Sequence, residues 1–175
     1  MNPAEEINPV SEYASAKATI AREGYLLSPI ELPAELRHAI EMRDWVRVDQ
    51  LIQLETQPGG VIFEELRKYE NFTQIEFIIS IRSSLKEPDE DGIWHDDGSR
   101  VLAFSLSLTL DADAVEGGRL EMRKRTREGV SEVLHTIPTP PFGTAIIFAT
   151  GHHGFEHKIN RVSGGERIII AGWCT

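Results

Sequence analysis

The sequence predicts a mainly β protein of the α+β class, with N-terminal α-helices packed on one outer face of a jelly-roll barrel. Two different patterns of apolar residues in the 175-residue chain lead to this prediction. The first third has apolar residues at helical spacing, whereas the rest has short apolar segments separated by turns, which form antiparallel sheets. The length suits a single domain. We expect residues 1–71 to form the helical support and residues 72–175 the barrel.

The N-terminal third contains two predicted helical regions. Residues 11–23 are rich in alanine and are followed by Gly24, a residue that commonly ends a helix. A short strand is predicted at residues 25–27. Residues 33–55 begin with a proline and have apolar residues at helical spacing, which predicts one bent helix or two short ones.

The remainder of the chain has the pattern of β-strands. Residues 72–81 are rich in Ile, Phe and Thr, which favours a buried strand. Residues 100–110 alternate between two sides. One side is apolar, with Leu102, Phe104, Leu106, Leu108 and Leu110, and the other is small and mostly polar, with Ala103, Ser105, Ser107 and Thr109. Further strands are predicted at residues 144–149 and 167–173, with glycine-containing turns between them.

The composition argues against several classes of function. Eighteen Lys and Arg residues against 28 Asp and Glu residues give a formal net charge of -10, so nucleic acid and anionic membranes are not expected as partners. The one cysteine, Cys174, can form no intramolecular disulfide and offers no thiolate cluster for a metal. No signal peptide or membrane-spanning run is apparent, so we expect a cytoplasmic protein. Histidine and carboxylate side chains remain as metal ligands.

One short motif has the spacing of a metal-binding pair. His95 and Asp97 are two positions apart, so in an extended segment an imidazole and a carboxylate point to the same side and can bind one ion. With six histidines in the chain this spacing is weak evidence by itself. It gains weight when it is taken together with the stretch from His157 to Trp173.

The combined motifs resemble those of the 2-oxoglutarate- and iron(II)-dependent oxygenases, in particular the prolyl 4-hydroxylase-like group. Four motifs follow in the order of that family: His95 and Asp97 as the His-x-Asp pair, Gly117-Gly118-Arg119-Leu120 as the Gly-Gly-x-Leu hairpin, His157 as the distal histidine, and Gly165-Glu166-Arg167 as the arginine motif. The similarity covers roughly residues 93–173. It implies a double-stranded β-helix, the cupin-like form of the jelly roll.

The resemblance also implies a set of cofactors. In the family, two histidines and a carboxylate bind Fe(II) and leave positions open for 2-oxoglutarate and O2. His95, Asp97 and His157 would therefore be the metal ligands and the catalytic residues. Oxidation of 2-oxoglutarate yields succinate and CO2 while a C–H bond of the substrate is hydroxylated. Ascorbate is a candidate additional cofactor.

A buried arginine is the natural partner for the far carboxylate of 2-oxoglutarate, because a guanidinium donates two parallel hydrogen bonds to a carboxylate. Arg167 is the candidate. A neutral hydroxyl from the small polar side of residues 103–109 could assist it, with Ser107 and Thr109 as the candidates.

Several neighbouring residues have open interpretations. His152 and His153 are alternatives to His157, but only His157 places Arg167 at the family spacing. Asp96 is expected to be solvated or to cap a turn rather than to support the ligands.

Two tryptophans, Trp94 and Trp173, are next to site residues in sequence. A strand turns successive side chains to opposite faces, so we expect both to pack in the core.

Two charged segments could serve the site. The basic run comprises Arg119, Arg123, Lys124, Arg125 and Arg127. A solvated hairpin is the favoured interpretation of this run, with attraction of an acidic substrate as the alternative. The acidic loop at residues 87–92 is equally compatible with a mobile lid and with a plain connection.

The predicted function is hydroxylation of an amino acid, a peptidyl residue of prolyl type or a small organic substrate. One alternative is a non-enzymatic jelly-roll sensor that binds a metal or ligand and needs neither 2-oxoglutarate nor Arg167. Another is a cupin-like isomerase or dioxygenase that binds its substrate directly to the metal. The sequence does not determine the substrate or the oligomeric state.

Overall fold

The computed structural model describes residues 9–85 and 87–175, without the side chains of residues 9–13 and 152. The helices of this part are α1 (Pro9–Glu23), α2 (Ala34–Glu41), α3 (Trp45–Glu55) and α4 (Val61–Arg67). The predicted first helix is confirmed, and the stretch at residues 33–55 forms two helices rather than one bent helix. The short helix α4 was not predicted.

The helices contribute one apolar side each to the core. Buried residues at the i, i+3 and i+4 spacing are Leu36, Ala39 and Ile40 in α2 and Val48, Leu51 and Ile52 in α3. They belong to the same hydrophobic core as the buried side of the largest sheet. Full burial of such a leucine or isoleucine contributes about 1.5–3 kcal/mol, so the helices hold this side of the sheet firmly.

The strands form three antiparallel sheets. In the described residues they are β1 (Tyr25–Pro29), β2 (Ile75–Ser83), β3 (Leu102–Ser107), β4 (Glu116–Gly117), β5 (Leu120–Thr126), β6 (Gly129–Ile137), β7 (Thr144–Phe148), β8 (Phe155–Ile159), β9 (Val162–Gly164) and β10 (Glu166–Cys174). Five of them pair in the order β1-β7-β3-β10-β2, three pair as β6-β5-β8, and β4 pairs with β9. The mainly β fold with N-terminal helices is confirmed. Hydrogen bonding in the described residues leaves these sheets separate, so the expected closed barrel is not formed.

The central strands β3 and β10 have two distinct sides. Leu106 and Ile170, which are register partners, belong to the hydrophobic core. Ser105 and Arg167, at odd positions of the same strands, line a cavity on the opposite side of the sheet. The alternation predicted for residues 100–110 is therefore realised, although β3 itself is shorter.

The strands that the sequence did not predict belong mainly to the smaller sheets. In β5, for example, Leu120 and Met122 are buried, while Glu121 between them and Arg123 after them are only half-buried. The apolar–polar alternation expected of a strand is hard to recognise in this sequence, because the apolar positions are few and the hairpin is strongly basic. This smaller sheet faces the cavity and carries one of the predicted metal ligands.

Candidate metal centre

A single β-bridge brings two of the predicted ligands together. His157 lies on β8, an edge strand of the three-stranded sheet, and His95 lies on the segment beside it. The His157 N–H donates to the His95 carbonyl at 2.8 Å, and the His95 N–H donates to the His157 carbonyl at 3.1 Å. Asp97 follows with a φ of 58°, a left-handed conformation that aspartate adopts more readily than most residues.

The three side chains converge on one small volume. Each offers a ligand atom, and these atoms all lie within 4.8 Å of one another. His95 Nε2 is 3.6 Å from Asp97 Oδ1, and His157 Nε2 is 3.4 Å from Asp97 Oδ2. Two imidazole nitrogens and one carboxylate are the facial donor set typical of non-haem iron(II) oxygenases.

The protonation and hydrogen bonding of these side chains suit a cation. His95 Nδ1 lies 2.9 Å from the Ile93 carbonyl, so an N–H donated there leaves Nε2 with a free lone pair. Burial lowers the pKa of His157 to about 4, which keeps its ring neutral near pH 7. Asp97 Oδ2 is buried and has no hydrogen-bond partner in the described residues. A buried acceptor of this kind is costly unless a ligand satisfies it.

Arg167 supplies a positive charge inside the same cavity. Its side chain is buried, with 1% of the residue exposed, and no carboxylate of the described residues forms an ion pair with it. Its one side-chain hydrogen bond in this part of the chain is to Ser105 Oγ at 3.5 Å, and its Nε has no partner. Burial lowers the pKa of Arg167 to about 10, which leaves the guanidinium charged at neutral pH. Burial of a cation without a neighbouring anion destabilises the folded protein by roughly several kcal/mol. The charge of Arg167 therefore points to an anionic ligand.

A hairpin glycine makes room for this arginine. Gly118 has a φ of +61°, and a Cβ built on it would lie 2.8 Å from Arg167 Cδ. Both the backbone conformation and the space therefore require glycine at this position. This gives the second glycine of the Gly-Gly-x-Leu motif a direct physical role beside Arg167.

One cavity of about 220 Å³ is lined by the three predicted ligands and by Arg167. Much of the remaining wall is apolar, and it includes Ile78, Leu120, Phe148, Ile159, Ile169 and Trp173. Charged groups are thus concentrated at a metal end, with His95, Asp97 and His157, and an arginine end, with Arg167. Electrostatic interactions are strong between apolar walls of this kind.

The hydroxyl that reaches Arg167 belongs to Ser105. Thr109 Oγ1 donates to the Ile168 carbonyl and accepts from the Ile168 N–H, both at 3.0 Å, so its hydroxyl bridges the backbone of β10. Ser107 Oγ accepts from the Thr109 N–H at 3.3 Å. Neither Ser107 nor Thr109 lines the cavity, whereas Ser105 does. The geometry therefore favours Ser105 over the two predicted candidates.

A family model described as the 2OG-Fe(II) oxygenase superfamily matches residues 85–175, about half of the chain. The match contains all three converging side chains and Arg167. The chain belongs to this superfamily. Members of the superfamily use Fe(II), 2-oxoglutarate and O2, and the His-Asp-His set of this oxygenase fits iron. No curated protein sequence matches the chain significantly.

Solved structures of similar fold come from several enzymes. A Pseudomonas putida prolyl-4-hydroxylase is 18% identical with a TM-score of 0.61, and the alignment covers 99% of the oxygenase and 97% of that chain. A Trichoplax adhaerens prolyl hydroxylase, solved with a hypoxia inducible factor peptide, is 11% identical with a TM-score of 0.60, covering 95% and 90%. The epimerase SnoN from nogalamycin biosynthesis is 14% identical with a TM-score of 0.64, covering 95% and 83%. At these identities the likeness concerns the fold.

The neighbouring histidines and Asp96 lie apart from the converging set. His153 is exposed and is not among the described groups that could hold a metal ion. The side chain of His152 lies outside the described residues. Asp96 Oδ1 accepts from the Gly98 N–H at 2.9 Å, which confirms its interpretation as a turn-capping residue.

The two tryptophans contact different parts of the oxygenase. Trp173 packs against the hydrophobic core as predicted, but it also lines the cavity. Counting by two along β10 from Arg167 reaches Trp173, so the sequence did contain this signal. The expectation that Trp94 packs in the core is wrong, because its ring lies under Arg123 Cζ at 4.2 Å and Lys158 Nζ at 5.4 Å.

The two charged segments are both held by specific contacts. Arg123 is paired with the buried Glu156 at 2.7 Å, so the interpretation as a solvated hairpin is wrong for this residue. The loop at residues 87–92 is fastened through Asp89, which pairs with Arg82 at 2.8 Å and accepts from the Val162 N–H at 2.7 Å. These contacts favour a fixed connection over a mobile lid. None of the helices in the described residues is both long and apolar enough to cross a membrane.

Proposed function

We propose that the chain is a 2-oxoglutarate- and Fe(II)-dependent hydroxylase in which His95, Asp97 and His157 bind the metal and Arg167 binds the far carboxylate of 2-oxoglutarate. The observation that carries the proposal is one cavity that contains both the converging ligand atoms and a buried guanidinium with no carboxylate partner among the described residues. A metal-binding sensor would need the first feature but not the second. For this reason the enzyme is favoured over the sensor.

Each polar group of the cavity has a separate task in this proposal. The neutral His157 ring and the Asp97 carboxylate supply a lone pair and a negative charge to the metal. Arg167, with Ser105 beside it, orients the dicarboxylate by charge-assisted hydrogen bonds, which are roughly twice as strong as neutral ones. When bound, Fe(II) and 2-oxoglutarate supply the oxidising chemistry, in which O2 is consumed, succinate and CO2 are formed and a substrate C–H bond is hydroxylated. The apolar walls exclude water and thereby strengthen both sets of contacts.

The size of the cavity bears on the class of substrate. Its volume of about 220 Å³ is below the range of about 300–1,000 Å³ common for ligand pockets. Once the dicarboxylate is bound, little enclosed space is left, so the substrate enters with one group only. The His95 side chain is 48% exposed, which makes this the accessible side of the metal end. A peptidyl residue of prolyl type, an amino acid or another small organic molecule all meet this requirement.

We further propose that residues 1–175 act as a single domain, with residues 1–71 as helical support and residues 72–175 as the catalytic double-stranded β-helix. The five-stranded sheet, to which the support adds the edge strand β1, and the three-stranded sheet would be its two faces, with the cavity between them. Residues from both sheets line this cavity, for example Arg167 on β10 and His157 on β8. This supports the assignment although the sheets are not joined into a barrel by hydrogen bonds.

The proposal is tested by anaerobic titration with Fe(II) followed by 2-oxoglutarate. A visible metal-to-ligand charge-transfer band is expected only when both are bound to one centre. The band and succinate formation should be lost in His95→Ala and His157→Ala variants. His153→Ala is the matched control, because this exposed histidine lies outside the converging set.

A band in wild type that is lost in both ligand variants supports the hydroxylase. Iron binding without the band, together with no response to 2-oxoglutarate, would favour the sensor. Succinate formation that persists in His157→Ala would contradict the ligand assignment. Succinate release screened across amino acids and peptides would then separate the substrate classes.

A further inference from the structure

The residues that immediately precede the two histidine ligands lie on the side of the three-stranded sheet that faces away from the cavity; this sheet, with the segment that carries His95, is called the small sheet below. Alternation turns Glu156 away from His157, and it turns Trp94 away from His95. Only His95 and His157 of these four line the cavity. The outer positions are therefore close to the metal ligands through the backbone but separated from the cavity.

Arg123 contacts both of these outer residues. Its Nε and Nη2 each lie 2.7 Å from Glu156 Oε2, and its Cζ lies 4.2 Å from the centroid of the Trp94 ring. Arg123 and Glu156 are register partners in the β5–β8 pair. One guanidinium thus joins β5, β8 and the segment that carries His95.

The contacts of Glu156 make this arrangement specific. Its side chain is 3% exposed, and its second oxygen accepts from Arg125 Nη2. A buried carboxylate requires such partners, because an unpaired charge in this position is strongly destabilising. Lys158 also lies over the Trp94 ring, at 5.4 Å. Cations over the face of tryptophan are attracted by its ring quadrupole.

The segment that carries His95 is joined to β8 through its backbone. It lies outside the named strands and is joined to β8 by the isolated bridge between His95 and His157. A nearby bond from the Gly92 N–H to the Ile159 carbonyl at 2.8 Å fixes its beginning. Rotation of the segment about the direction of its backbone would move the His95 ring away from Asp97 and His157. Trp94, the residue before His95, is in contact with Arg123 on β5 and Lys158 on β8.

We propose that Arg123 is a positioning residue of the metal centre. By holding Trp94 and Glu156 on the outer side of the small sheet, it fixes the orientation of His95 and His157 on the inner side. This inference rests on the proposed metal site. It also gives one member of the basic run a role that is neither solvation nor attraction of an acidic substrate.

The test compares Arg123→Met with Arg127→Met. Both variants lose one positive charge and keep an unbranched side chain, but Arg127 is exposed in the β5–β6 turn. Anaerobic titration with Co(II) gives the dissociation constant, and the visible Co(II) absorption reports the ligand geometry. Thermal unfolding of the metal-free protein is measured alongside to record any loss of stability.

Arg123→Met is expected to raise the Co(II) dissociation constant about 10-fold and to alter the Co(II) absorption, as is typical when residues that orient metal ligands are removed. Arg127→Met should match wild type. Arg123→Lys should lie between them, because lysine keeps the charge beside Glu156 but loses the planar contact with Trp94. Trp94→Leu, which leaves the ion pair intact, is the second variant and should also weaken Co(II) binding.

A lower unfolding temperature with unchanged Co(II) affinity and absorption in Arg123→Met and Trp94→Leu would overturn the inference, since Arg123 would then be structural only. If Arg123→Met does not fold, the affinity of Trp94→Leu decides. Wild-type protein that does not bind Co(II) would instead overturn the proposed metal site. The two failures are therefore distinguishable.

Discussion

At the arginine end of the cavity, Arg167 belongs to β10, a strand that is paired on both sides, with β2 and with β3. At the metal end, His95 and Asp97 lie outside the named strands, and a single bridge connects them to β8. The arginine is almost fully buried, whereas the His95 side chain is 48% exposed. A rigid, closed end and a more open end thus share one cavity.

This difference suits two ligands of different character. A dicarboxylate that binds in the same way in each cycle gains from a preorganised partner, because less ordering is needed on binding. The metal end must in addition be accessible to O2 and to the substrate. Both ends carry polar groups that the described part of the chain leaves unsatisfied, namely Asp97 Oδ2 and Arg167 Nε. If the two ends are independent, a change at one end should leave ligand binding at the other end unchanged.

The largest effect is expected at the metal end, from Asp97→Asn. The amide has no negative charge to offer a metal ion, so 2-oxoglutarate-dependent succinate formation should fall to background. Asp96→Asn is the matched control, because it makes the same change one residue earlier and keeps an acceptor for the Gly98 N–H. Equal activity of the two variants in a succinate-release assay would contradict the role of Asp97.

At the arginine end, Arg167→Met should weaken 2-oxoglutarate binding by about 3 kcal/mol, or roughly 100-fold. The same variant should raise the free energy of unfolding without ligand by about 1–3 kcal/mol, because it removes a buried charge that has no carboxylate partner in the described part of the chain. Calorimetric titration and urea denaturation measure the two effects. Metal affinity should be unchanged if the two ends are independent, and a large loss of metal binding would show that they are coupled.

The stability of the metal-free protein is expected to depend on pH through His157, at the metal end. The pKa of His157 is about 4 in the folded chain, against about 6.5 for an unperturbed histidine, so the unfolded state binds more protons between these values. Stability of the metal-free protein is therefore complete above pH 6.5 and is lost as the pH falls toward 4, by roughly 2 kcal/mol between pH 7 and pH 5. Urea denaturation with a chelator present measures this loss.

His157→Gln should flatten that part of the pH profile, whereas His153→Gln at an exposed position should leave it as in wild type. A profile with the same slope in His157→Gln would assign the loss of stability to other groups.

The smallest effect is expected from Gly118→Ala. The new Cβ would lie 2.8 Å from Arg167 Cδ, and the alanine would have to adopt the positive φ of Gly118. Stability should therefore fall by about 1 kcal/mol, and 2-oxoglutarate binding should weaken. Gly129→Ala serves as the control, because Gly129 also has a positive φ but has nothing within 4 Å of its Cβ position. If both variants bind 2-oxoglutarate like wild type, the contact with Arg167 is unimportant for the arginine end.

The fold could be predicted from sequence where one period dominated. Residues 100–110 alternate between apolar and small polar positions, and β3 with its buried neighbours follows that pattern. The basic run was interpreted as part of a hairpin, but the strands β5 and β6 were not predicted, because the outward positions of β5 bear charges that pair with β8 and mask the apolar alternation. The hydroxyl beside Arg167 could not be chosen from the sequence. Ser105, Ser107 and Thr109 are equivalent by alternation, and only the packing of β3 against β10 separates them.

The sequence by itself determined which chemistry is available to this protein. Its motifs indicate two imidazoles, one carboxylate and a trailing arginine, and its single cysteine leaves no thiolate cluster as an alternative. Only the tertiary structure decided that Arg167 has no carboxylate partner in the described chain. It also decided that Arg123 contacts Glu156 and Trp94, the residues that precede the two histidines, and that Trp94 lies outside the core. These facts depend on which strands become neighbours. That choice is made by the burial of the whole apolar surface rather than by any local pattern of residues.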